Sequence, residues 1–142
     1  MSQYLNIYLK PKDNGKPKYL TCYSRNSDVY GRLVEDGQFP FYNSEEYGTL
    51  DCESLRSVCD DIKKQIADEQ ERANLRMKAI KDVSNKEVAE TFMEEVESLN
   101  RCIKEDQETL KEVEHLYWLA YLLNGDQEWD FAEYEGLVGN IN

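Results

Sequence analysis

The chain has 142 residues, 32% of them charged, with a net charge of -12 and a mean hydropathy of -0.78. That length suits one domain with a core of its own, but the polarity belongs to solvated helix flanks rather than to a large interior. No apolar run approaches the ~20 residues that span a bilayer, and so acidic a chain argues against DNA or RNA binding by its whole surface.

The charge is segregated. Residues 1–34 hold Lys10, Lys12, Lys16, Lys18, Arg25 and Arg32 against Asp13 and Asp28, a net of +4. The other 108 residues carry eleven basic and 27 acidic side chains, a net of -16. The start, Met1-Ser2-Gln3-Tyr4, lacks the basic-then-apolar pattern of a secretion signal. A cytoplasmic protein is therefore expected, in the host cytoplasm if the source is viral.

Taken in order, residues 3–11 and 18–25 read as a β-hairpin rich in tyrosine, leucine and isoleucine, with an Asn14-Gly15 turn and Pro17 limiting the second strand. A lone hairpin is marginal in water and needs a platform. Asn26-Ser27-Asp28 offers caps for a short helix from Val29 to Val34, stopped near Asp36-Gly37. Residues 38–48 are irregular but aromatic, with Phe39, Phe41, Tyr42 and Tyr47 expected on the body or on a partner surface.

Residues 51–124 organise the rest. Leu55, Cys59, Ile62, Ile66, Ala73, Met77 and Ile80 recur at helical spacing, as do Phe92, Val96, Leu99, Ile103, Leu110, Val113, Tyr117 and Ala120. Asp51 caps the first helix and Ser84 or Asn85 the second, with Gly125 as the stop. Two such faces, broken once at 84–85, predict an antiparallel coiled-coil hairpin. The second helix overhangs the first by about two turns. That overhang, residues 117–123, is apolar nearly all round and is expected to be buried on several sides, carrying the β-hairpin and the tail. Glu69 and Asp106 interrupt the seams and are expected as flank salt bridges to Arg101 and Lys63, or as groups buried against a second copy.

The fold expected is thus mainly α with a small β part: a head over residues 1–50 docked at the open end of a helical hairpin over 51–125, and an acidic aromatic tail over 126–142 packed on the head end. Within the tail, Trp129, Phe131 and Tyr134 are candidate partner-binding residues.

Catalytic signals are close to absent. The glycines stand singly, and one histidine, His115, makes a single Glu112-x-x-His115 pair where di-metal bundles need two. Cys22, Cys52, Cys59 and Cys102 form no Cys-x-x-Cys pair and are expected to be reduced packing residues. No enzyme, metal or cofactor is expected. The basic head does mix cations with rings: Tyr8, Lys10, Lys18, Tyr23, Arg25, Tyr30 and Arg32 are candidates for holding an anionic nucleotide, with phosphate charge on the cations and a base stacked on tyrosine.

Leu9-Lys10-Pro11, Tyr23-Ser24-Arg25-Asn26-Ser27-Asp28-Val29-Tyr30 and Phe131-Ala132-Glu133-Tyr134-Glu135-Gly136, with the helical hairpin between them, resemble small accessory proteins of bacteriophages and prophages. The resemblance covers the whole length loosely and brings no catalytic residues. It implies a counter-defence setting, in which small acidic proteins block host components or sequester their nucleotide signals. Two functions follow. One is a self-associating inhibitor whose acidic surface covers a host defence or nucleic-acid-binding protein. The other is an oligomeric sponge that encloses a small nucleotide in the basic head.

Overall fold

The computed structural model describes residues 3–35, 39, 46–125 and 133–142. The chain is mainly helical, with a four-stranded antiparallel sheet and two long helices that pack closely. In chain order the elements are β1 (Tyr4–Pro11), β2 (Lys18–Ser24), α1 (Asp28–Tyr30) running into a π-helical turn (Gly31–Glu35), β3 (Gly48–Leu50), α2 (Cys52–Asp82), α3 (Lys86–Gly125) and β4 (Tyr134–Ile141). They form two compact units: Met1–Cys59 with Glu112–Asn142, and Asp60–Lys111. The boundaries thus cut through both long helices, where the sequence divided the chain into head, hairpin and tail.

In the first unit the sheet order is β2-β1-β4-β3. β1 alternates Leu5 and Ile7 on one face with Asn6 and Tyr8 on the other, and it is paired on both sides. Asn6 lies opposite Cys22 of β2 and Asn140 of β4, and Tyr8 opposite Tyr19 and Val138. A bulge after Ile7 takes Leu20 out of the ladder. The sequence-predicted hairpin is present, but its platform is β4, which the tail supplies. Tyr4 and Asn142 exchange both backbone hydrogen bonds at 2.9 Å.

Leu5, Ile7, Leu33, Leu50, Leu55, Val113 and Leu137 are fully buried and form the core of this unit. Burying a leucine or isoleucine contributes about 1.5–3 kcal/mol, so these residues outweigh any surface contact here. At the β1–β2 connection Asn14 adopts φ 60°, the left-handed region that asparagine tolerates, and Gly15 N–H donates to Asp13 Oδ1 at 2.9 Å. A Cβ on Gly15 would lie 2.8 Å from that oxygen, so the close approach favours glycine.

In the second unit the buried stripe runs through Ile62, Ile66, Glu69 and Ala73 of α2 and Val96 and Thr109 of α3. Arg76 and Glu95 form an ion pair between the two helices. Glu69 corrects the expectation of a solvated flank: it sits within the buried stripe, and Glu69 Oε1 and Asp106 Oδ2 are both shielded from solvent. Asp51 Oδ2 accepts the Ser54 N–H at 3.0 Å, capping α2 as expected. Asn85, rather than Ser84, caps α3, accepting from the N–H groups of Glu87 and Val88 at 2.9 and 3.3 Å.

Two cysteine positions and the helix end also depart from expectation. All four cysteines are free, but Cys59 is buried while Cys22 and Cys102 are exposed rather than packed. In the last turns of α3, Leu116 and Ala120 are buried while Trp118, Tyr121 and Leu122 are exposed. The overhang therefore buries one face, because its apolar residues outnumber the positions that a single helix stripe can turn inward.

If β4 is the inner strand described, Leu137→Ala will cost about 2–5 kcal/mol in urea unfolding, whereas Tyr19→Ala on the exposed edge strand will cost less than about 1 kcal/mol. Equal effects would contradict the sheet order. Asn85→Ala will cost about 1 kcal/mol through loss of the cap.

Candidate functional site

The seven head residues named from the sequence do not converge on one surface. Tyr8 lies on the outer face of the sheet, between Tyr19 and Tyr47, with ring centroids 5.8 and 5.2 Å away and both contacts edge-to-face. Burial pushes its hydroxyl above the ordinary value, Tyr47 adds to that, and a hydrogen bond with Asn140 opposes it. Below this cluster Asn6 Nδ2 donates to Asn140 Oδ1 at 3.3 Å, which pairs two buried amides. Lys10, further along β1, is held by Glu135 at 3.2 Å.

Tyr23 points to the opposite face, where its hydroxyl donates to Glu112 Oε2 of α3 at 3.4 Å. Tyr30 is buried and donates to Gln3 Oε1 at 3.4 Å. Lys18 and Arg25 are exposed, at the start and just past the end of β2, and Arg32 is half-buried in the π-helical turn.

Arg25 and Arg32 flank the start of α1, but that start is not an anion site. α1 is only three residues long, Tyr30 N–H already bonds Ser27 Oγ at 3.2 Å, and just before the helix Asn26 N–H bonds Ser24 Oγ at 3.3 Å. Ser27 Oγ itself donates to the Ser24 carbonyl at 2.7 Å. Short polar side chains thus take up backbone groups of the turn that a ligand would otherwise bond.

Of the tail candidates, Trp129 and Phe131 lie outside the described residues. Tyr134 is half-buried, opposite Pro11 at the start of β4. With Lys12, Asp13, Lys16 and Glu133 it lines an open cleft of about 490 Å³, in which the lysines and carboxylates offset each other. Among the described residues no group of three or more histidine, cysteine, aspartate or glutamate side chains could hold a metal ion.

The feature that the sequence reading missed is an exposed aromatic ridge on the last turns of α3. Trp118 is 53% exposed, Tyr121 48% and Leu122 59%. The rings brace one another: Tyr117 and Trp118 lie 5.2 Å apart, Trp118 and Tyr121 5.8 Å, and Tyr117 and Tyr121 6.2 Å. Tyr117 and the Cys52 thiol of α2 are close enough to act on each other; burial pushes both groups above their ordinary values, with Asp51, Glu53 and Arg56 also acting on Cys52. The signal available in the sequence was the excess of rings over the width of one helix stripe, Tyr117 and Ala120 being on it and Trp118, Tyr121 and Leu122 off it.

Comparison of the chain with protein-family models, with curated proteins and with solved structures returns no match. What the chain does is therefore argued from its own surface.

Tyr23 offers a pH test of this geometry. Burial first, and then the Glu112 carboxylate, push its hydroxyl up from 10.0 to about 12. The neutral phenol is favoured by the fold, so its contribution to stability is complete below pH ~10 and is lost as pH rises toward ~12. Ultraviolet titrations of the wild type and of Tyr23→Phe will differ by one tyrosine that ionises near pH 12, and the variant will flatten the fall in stability across this window. A wild-type-like titration in the variant would place Tyr23 elsewhere.

Proposed function

We propose that this is a non-enzymatic binding protein that inhibits a basic, nucleic-acid-binding or defence-related host protein by covering its cationic surface, as accessory proteins of phages and mobile elements do. The observation that supports it is where the negative charge resides. Residues 60–111, the second unit, carry fourteen acidic and ten basic side chains and are near balance. Residues 35–59 carry six acidic side chains against Arg56 alone, and residues 112–142 carry seven with no lysine or arginine. The larger share of the net negative charge thus belongs to the unit that contains the sheet, where Glu46, Asp51, Glu53, Glu112 and Glu133 are exposed.

In this reading α2 and α3 pack as an antiparallel coiled-coil hairpin turning at Ser84-Asn85, and the molecule self-associates through it. Leu75, Met77, Val88 and Met93, exposed on either side of the turn, provide apolar surface for that contact. Mimicry of a polyanion works by long-range attraction, which raises the association rate and is screened by salt. The nucleotide-sponge alternative draws less support, since its tyrosines and cations are divided between two faces of the sheet and a capped turn.

Affinity for a basic DNA-binding domain, measured by biolayer interferometry, will fall about tenfold or more between low and high salt. Reversing the charge of Glu53 and Glu112 together will weaken it further and slow association. A complex indifferent to salt would remove electrostatic mimicry as the mechanism.

A further inference from the structure

We infer that the aromatic ridge of Trp118, Tyr121 and Leu122 is a docking site for an arginine-rich segment of another protein. This rests on the binding function proposed above and assigns it a contact surface. Three observations lead there: the ridge is exposed, it is pre-ordered, and its charge surroundings select the occupant.

Large side chains left half-bare on a helix are a cost unless something covers them. Trp118 and Tyr121 support each other edge-to-face at 5.8 Å, and Tyr117 lies against both rings. A surface already fixed in its bound shape loses little rotamer freedom on association, which is the property of interface anchors rich in tryptophan and tyrosine.

A second copy of this chain fits the ridge poorly. Half of a tryptophan, a tyrosine and a leucine amounts to about 300 Å², against roughly 800 Å² that each partner contributes to a stable dimer. The unit that bears the ridge also carries a net charge of -8 over residues 1–59 and 112–142, so two copies would bring like charges together. That charge points to a cation instead. Glu114 lies one helical turn before Trp118, and Asp51 and Glu53 stand at the start of α2 beside Cys52, with Arg56 as the counter-charge. Guanidinium groups stack on indole and phenol faces and pair with carboxylates. An arginine-rich segment can do both at once here, with Leu122 covering the aliphatic stems.

The test uses the full-length chain and a fluorescein-labelled arginine–alanine peptide, with lysine- and glutamate-substituted peptides alongside. Fluorescence anisotropy will show the arginine peptide bound best and the glutamate peptide unbound. Trp118→Ala will weaken binding about thirtyfold, whereas Leu20→Ala, an exposed apolar change on β2 away from the ridge, will leave it unaltered. Both sites are exposed, and thermal melts will confirm that the variants remain folded. Wild-type affinity in Trp118→Ala would overturn the assignment. So would light scattering that shows a dimer dissociating in Trp118→Ala, since the occupant would then be a second copy. Binding that ignores Trp118→Ala but is lost on reversing Glu53 and Glu112 would sink the ridge while leaving the acidic-surface function standing. Absence of any salt-sensitive binding would sink both.

Discussion

Strand β1 is held on both flanks, by β2 on one side and by β4 on the other, and the larger unit depends on that double pairing. The β1–β2 contact is local and forms across a six-residue connection. The β1–β4 contact joins residues more than 120 positions apart, so its hydrogen bonds are made only after a large loss of chain freedom. What compensates is the apolar face that closes with it. Leu5 and Ile7 of β1, Leu137 of β4 and Leu50 of β3 lie on one side of the sheet and are all essentially without solvent exposure. Remove β4 and β1 loses one of its two neighbours, β3 loses the strand it pairs with, and the core loses a wall.

The helices were legible because their signal is long and repeated. Thirty-one residues of α2 and forty of α3 give many turns over which a three-four spacing stands out from chance. The β1–β2 hairpin was legible for a similar reason, with alternating β-formers on both sides of a turn. β4 was not. Its apolar residues, Leu137, Val138 and Ile141, are interrupted by Gly136, Gly139 and Asn140, which carry little strand preference. Its place inside the sheet comes from partners elsewhere in the chain. Acid–ring alternation just before it drew the reading toward an adhesive tail, although the following residues are the most buried of any strand.

The candidate surface shows the same division. Net charge, its segregation and the shortage of catalytic groups could all be counted directly. Which rings face outward could not, because spacing gives a stripe and does not say how much of that stripe a neighbour covers. Trp118, Tyr121 and Leu122 looked buried in a run of seven apolar residues, yet they are the exposed part of it. The tyrosines of the head erred in the other direction: Tyr23 and Tyr30 looked available and instead donate to Glu112 and Gln3. In both cases tertiary packing decided which way the side chains face.

The reciprocal bonds between Tyr4 and Asn142 carry a consequence for biosynthesis. A ribosome delivers β1 first and β4 last, so during translation Leu5 and Ile7 wait with one side bare while both long helices are made. The helices, whose contacts are mostly local, can form meanwhile. Sheet completion waits until β4 has been made, and a product terminated before β4 would expose an unpaired strand flank of the kind that chaperones and proteases engage.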